Sequence, residues 1–171
     1  MRFALAFSLL LSILLSGCGY KPSAHYARKV IKQKVATAIS IAVQDPENSV
    51  IIKDAVDLAI VEVFHASLTD KKHADTFLEF HVSEPTYTPI QYNQDGFVVA
   101  YRANIVLHIV RHTKGQTPHN YTTYGTYDFS VVPNAVLTDQ ERFDAIKYSS
   151  QKAISSFIAQ VSAEGSQKDK S

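Results

Sequence analysis

The chain contains a single cysteine, Cys18, and the residues before it constrain how everything after it must be held together. Met1-Arg2-Phe3 supplies one positive charge, and Ala4 to Leu15 is an almost unbroken apolar run. Leu15-Ser16-Gly17 then places small residues directly before the cysteine. This is the ordering of a bacterial secretory signal, and the run is too short to span a bilayer as a finished helix. A cysteine directly after the small pair marks a lipoprotein signal, in which the thiol takes a diacylglyceryl group and Cys18 becomes the acylated N-terminus. Residues 1–17 are therefore expected to leave as a signal peptide. Residues 18–29 read as an acylated tether, 30–163 as one domain and 164–171 as a flexible tail. With its only sulfur lipidated, the mature chain has no disulfide, thiolate cluster or thiol nucleophile, so packing alone must hold the fold. Its length suits one domain with a real core and is too short for two.

Net charge is slight, +1 from 17 Lys and Arg against 16 Asp and Glu, and its distribution says more. Lys21, Arg28, Lys29, Lys32 and Lys34 follow the anchor with no acid before Asp45. Such a cluster can rest on anionic headgroups at roughly 1 kcal/mol for each close charge, or it can be a solvated tether and strand edge. No basic stripe is interleaved with aromatics, so nucleic acid is not an expected partner.

Periodicity supplies the elements. Val35, Thr37, Ile39, Ile41 and Val43 alternate with Ala36, Ala38, Ser40 and Ala42, which predicts a half-buried strand. Asp45-Pro46-Glu47-Asn48 breaks it, and Asn48 or Ser49 can cap a helix whose apolar stripe is Ile52, Val56, Ala59, Ile60 and Val63, ending near Leu68. A second strand is expected over about 75–83 with Leu78, Phe80 and Val82 inward. The longest runs over about 97–112, with Val99, Tyr101, Ala103, Ile105, Leu107 and Ile109 on its inner face. Thr113 to Pro118 is a turn by its chemistry, and a fourth strand covers about 120–131 with Tyr121, Tyr127 and Phe129 on one face. Thr138 and Glu141 stand at capping-box spacing before a last helix with Phe143, Ile146, Ala153, Phe157 and Val161 as its stripe. The expected fold is an α/β two-layer sandwich, β-α-β-β-β-α, with two helices packed on one face of a four-stranded mixed sheet. The other face, carrying Ala36, Ala38, Ser40, His81, Arg102, Asn104, Thr122, Tyr124 and Thr126, is too polar for a second helical layer.

Reactive constellations are missing. There is no Gly-x-Ser-x-Gly elbow, phosphate-cradling glycine loop or His-Glu-x-x-His helix. His108 and His112 are four apart on a strand, about 13 Å, too far to grip one metal. An enzyme is not expected, nor is a cofactor or metal. The connection from Pro85 to Gly96 stands out instead, because Tyr87, Ile90 and Tyr92 are amphipathic anchors in what reads as a loop. With Gly115 in the later turn they form the candidate partner-binding set.

Several stretches resemble one family. Gly17-Cys18-Gly19-Tyr20, the β-α-β-β-β-α order and the size are similar to LptE, the lipopolysaccharide-assembly lipoprotein of the outer membrane. Gly19 to Ser23, Asp45 to Ala55, Gln91 to Gly96, Tyr101-Arg102-Ala103, Tyr127 to Ser130 and Arg142 to Lys147 look like its epsilonproteobacterial branch. The resemblance covers nearly all of the mature chain through structural rather than catalytic motifs. It implies a non-enzymatic plug inside the LptD β-barrel that helps the barrel fold and meets lipopolysaccharide, located at the cell outer membrane. Arg102, Arg111 and Lys114 are the local candidates for lipopolysaccharide phosphates. The alternative is a periplasmic regulatory lipoprotein that docks on a cell-wall synthase or secretion complex.

Overall fold

The computed structural model describes residues 27, 29–41, 50, 53–56, 58, 61–62 and 68–168. The signal peptide, Cys18 and the tether to residue 26 lie outside the described residues. So do the cap at Asn48 or Ser49, most of the first helical stripe, and residues 169–171.

Five strands form one mixed sheet: β1 (Val35–Ile41), β2 (Thr76–Val82), β3 (Thr86–Tyr92), β4 (Val98–Thr113) and β5 (His119–Ser130). A helix spanning Asp139–Lys168 follows. Residues 50, 53–56, 58, 61 and 62 are helical between β1 and β2, and Leu68 already forms a bridge to Val35. β1 runs parallel to β2, while β2, β3 and β5 are all antiparallel to β4. The expected sandwich is present, with one strand more than the alternation indicated.

That extra strand is β3, where a loop was expected. β2 and β3 lie end to end on one edge of β4, β2 opposite residues 107–113 and β3 opposite residues 98–104. Between them Ser83 Oγ accepts from the Val106 amide at 3.2 Å and donates to the Val106 carbonyl at 3.1 Å, so a side chain bridges the break. Pro85 then turns the chain. β3 showed no inward-pointing apolar face because every residue from Thr88 to Tyr92 is exposed, so both of its faces are wet. Its hairpin to β4 closes on Asn93, whose Oδ1 accepts from the Asp95 and Phe97 amides at 3.1 and 2.9 Å.

The inner face is as the alternation predicts. Leu78, Phe80 and Val82 from β2 meet Ile105, Leu107 and Ile109 from β4, and Phe157, Ile154 and Val161 close over them. Each such side chain stabilises the fold by about 1.5–3 kcal/mol relative to exposure. Residues 27 and 29, at the end of the expected tether, are helical together with residues 30 and 31, and Ala27, Val30 and Ile31 are buried.

The C-terminal helix is about 45 Å long, enough to follow the whole of β5. It packs tightly on Gly125, where an added Cβ would lie 1.8 Å from the Ser149 carbonyl oxygen and 2.7 Å from the Ala153 amide. Buried Ala145, Ser149 and Ala153 are the small residues that permit this approach. The capping box forms: Glu141 donates its amide to Thr138 Oγ1 at 3.2 Å and accepts the Thr138 amide at 2.8 Å. The helix also continues to Lys168, into the segment expected to be a flexible tail. Glu164 holds its last turns down by accepting from Arg111 at 3.1 Å and from the Tyr121 hydroxyl at 2.6 Å.

Candidate functional site

Register decides which side chains share the uncovered face of the sheet. Ser40, His81, His108 and Thr122 form one row across β1, β2, β4 and β5. Ser40 Oγ pairs with His81 Nδ1, and His108 Nδ1 with Thr122 Oγ1 at 3.0 Å. Further along, Asn104 Nδ2 donates to Thr86 and Thr88, each at 3.4 Å. Glu79 pairs with His112 Nε2 at 3.1 Å. Arg102 grips Asp128 with two parallel bonds, Nε to Oδ1 at 2.7 Å and Nη2 to Oδ2 at 2.8 Å. That bidentate bond, with charge attraction added, raises the Arg102 pKa and holds the Asp128 carboxyl below the usual range, against a smaller desolvation effect. The face is thus polar, with Arg102 paired to Asp128 and Glu79 hydrogen-bonded to His112, and Tyr124 stands out from it at 67% exposure.

Toward the first turns of the C-terminal helix the inner face becomes aromatic. Phe129 lies 6.3 Å from Tyr87, 6.3 Å from Tyr101 and 6.2 Å from Tyr127, and Tyr127 lies 4.9 Å from Tyr148. Burial raises the Tyr87 pKa, with Arg142 opposing it. At the tip, Ile90, Tyr92, Phe97, Val132 and Val136 are exposed. Phe97 and Val136 line one shallow cavity of about 360 Å³ with Gly96, Tyr101 and Asn134.

The sequence candidates separate in space. Ile90 and Tyr92 belong to the tip, while Tyr87 turns inward onto Phe129 and Gly115 sits in the turn at the opposite end, with φ +77°. Arg102 and Arg111 are on opposite faces of β4. Arg111 is buried beneath the helix, its Nη2 bonded to Glu164, so it has no surface on which to meet a lipid phosphate. Burial, then the bond donated to Glu164, keep the Tyr121 phenol protonated far above its ordinary range. Lys114 is exposed in an open cavity of about 390 Å³. Phe97, Val132 and Val136 went unread. For Val132 and Val136 the signal was an apolar-rich run, Val131 to Leu137, in a connection with no core to enter. Among the described residues no group of three His, Cys, Asp or Glu side chains is placed to hold one metal ion, and no helix is long and apolar enough to cross a membrane.

No protein-family model and no curated protein matches the chain. Solved structures do overlap it. A chain described as a lipoprotein from Caulobacter crescentus aligns over 85% of this chain and 98% of its own, at 9% identity and TM-score 0.47. A minor lipoprotein from Acinetobacter baumannii aligns over 79% and 94%, at 10% identity and TM-score 0.43. Rare lipoprotein B from Shewanella oneidensis aligns over 78% and 92%, at 10% identity and TM-score 0.35. These neighbours are bacterial lipoproteins, and at such scores the overlap carries no argument beyond that observation.

Proposed function

We propose that this chain is a lipoprotein, acylated at Cys18 and held at the outer membrane, that plugs and helps assemble an LptD-type β-barrel for lipopolysaccharide transport. The observation that carries the reading is the tip, where Ile90, Tyr92, Phe97, Val132 and Val136 are uncovered beyond the helical layer. Apolar groups gathered this way at one end of a domain mark a protein-binding surface. The uncovered sheet face supports the same reading, since its pairwise-matched polar groups can lie against the polar lumen of a wide barrel without burying a bare charge. Arg111 has no part in ligand contact on this reading, and Arg102 contributes as half of its pair with Asp128. The mechanism is binding: the tip seats in the partner, the polar face lines the lumen wall, and the acyl chains fix the complex at the membrane.

The test is a mild-detergent pull-down of the tagged, acylated protein from outer membranes, followed by mass spectrometry. A stoichiometric, heat-modifiable large barrel is expected, and Tyr92→Asp with Val136→Asp should release it from a chain that is still folded. Recovery of a cell-wall synthase or secretion component without any barrel would overturn the reading.

A further inference from the structure

The polar and apolar surfaces above occupy one end and one face of the sandwich, and the opposite end has a different chemistry. Backbone hydrogen bonds draw four separate segments together there. The Asp75 and Thr76 amides donate to the Lys34 carbonyl at 2.9 and 3.2 Å, the Thr69 amide to the Val35 carbonyl at 2.8 Å, and the Lys114 amide to the Asp75 carbonyl at 3.4 Å. Register adds Val35 opposite Thr76 and Thr76 opposite Thr113. Lys32 ends the short helical stretch at φ 67°, so the chain turns sharply into β1 at this same place.

The result is a basic end built from residues far apart in sequence: Lys32, Lys34, Lys71, Lys72 and Lys114, all exposed. Lys71, Lys72 and Lys114 line the open cavity of about 390 Å³ together with Phe77, and Lys71 Nζ lies 3.8 Å from the centre of the Phe77 ring. The acids there are Asp70, Asp75 and Glu79, and Glu79 is already bonded to His112. The far end is the reverse, with Asp95 in the hairpin and Asp139, Glu141 and Asp144 in the first turns of the helix, joined by Arg142. Charge therefore runs along the molecule, and the basic pole is where the chain departs toward Cys18, nine residues before Ala27.

We infer that this basic end is a docking face for an anionic phospholipid surface, which fixes the orientation of the domain on the bilayer. The length and exit point of the tether decide the occupant. The nine-residue stretch from an acylated Cys18 to Ala27 spans at most about 30 Å and keeps this end within reach of the headgroups, and because a diacylglyceryl group anchors stably by itself, the basic patch acts on orientation rather than on attachment. Lysine, a flexible point charge, suits a fluid field of phosphates. The tip, at the other end of the sheet, is left free to seat in its partner. The inference rests on the proposed acylation for the reach of the tether, and on the lysine geometry for the surface itself.

Two measurements separate these. The full mature chain with Cys18→Ser, which cannot be acylated, is floated with vesicles of phosphatidylcholine alone or mixed with phosphatidylglycerol. Binding is expected only to the mixed vesicles and should fade as salt rises. Lys71→Gln, Lys72→Gln and Lys114→Gln together should weaken it about a hundredfold, roughly fivefold per lysine. Equal binding to both vesicle types, or a triple variant that binds like the parent with an unchanged circular dichroism spectrum, overturns the inference. In the acylated protein a fluorophore at Lys114→Cys should be quenched by a headgroup-borne quencher and one at Tyr124→Cys should not. The reverse pattern overturns it too. Acylation is read independently from the mass of the Cys18 peptide.

Discussion

Gly125→Ala is the substitution that most directly tests how the helix is seated on the sheet. The added methyl group would start 1.8 Å from the Ser149 carbonyl oxygen and 2.8 Å from its carbon, whereas Cβ atoms essentially never come within 3.0 Å of another heavy atom. Both collisions are with backbone, so no side chain can rotate out of the way. The helix must lift, and that opens the contacts its buried Ile154 and Phe157 make with the sheet. A radial gap of about 1 Å forfeits up to roughly half of each dispersion contact. Overpacking costs typically about 1–3 kcal/mol, and a backbone-on-backbone clash belongs at the top of that range, about 3 kcal/mol. For a domain of this size that lowers Tm by about 6–12 °C. Urea and thermal unfolding followed by circular dichroism measure it. Gly115→Ala is the control: its Cβ meets nothing within 4 Å but sits at φ +77°, so only the backbone cost of about 1 kcal/mol applies. A Gly125→Ala protein within about 1 kcal/mol of the parent, or no worse than the control, refutes the reasoning.

Four further outcomes follow from particular contacts. Glu164→Gln leaves the Arg111 guanidinium, 4% exposed, without its counter-charge and should cost about 3 kcal/mol in urea unfolding, whereas Arg111→Met with Glu164→Leu should recover most of it. Thr138→Ala removes the helix cap and should cost about 1 kcal/mol. The Thr138 amide, and after it the hydroxyl, hold the Glu141 pKa below its ordinary 4.5. Because the folded value is the lower one, Glu141's contribution is complete above pH 4.5 and is lost as pH falls through the folded value, so the stability gap between Glu141→Gln and the parent should shrink in acid unfolding. Arg102→Glu sets a second carboxylate beside Asp128 on the uncovered face. With folding intact it should reduce barrel recovery in the pull-down, and adding Asp128→Arg should restore it.

Much of this fold was legible because burial repeats with a period. The alternation in β4 and β5 placed Ile105, Leu107, Ile109 and Tyr121 correctly, and the Thr138–Glu141 spacing located the start of the last helix. The same parity held information about the site. Arg102 and Arg111 are an odd number of residues apart on one strand, so they could never share a face, and the inner position belonged to Arg111. β3 escaped notice for the opposite reason. Pro89 interrupts it, and with both faces exposed from Thr88 to Tyr92 neither need be apolar, so no two-residue period survives. Gly165 reads as a helix breaker, yet a glycine inside a helix costs only about 1 kcal/mol. The bonds from Glu164 to Arg111 and Tyr121 outweigh that. What no single-residue pattern conveys is convergence. The basic end draws on Lys34, Lys71 and Lys114, and only the pairing of β2 with both β1 and β4 makes them neighbours.

That parallel pairing of β1 with β2 also has a mechanical meaning. β1 starts at the end where the tether leaves and runs toward the tip, its seven residues in register with β2 from Val35–Thr76 to Ile41–Val82. A pull between the membrane and a partner gripping the tip therefore acts along the strand axis. All the rungs of that ladder share such a load and must slip together, whereas a pull across the strands would open them one at a time. The domain is strung to bear tension in the one direction that its anchor and its partner would apply.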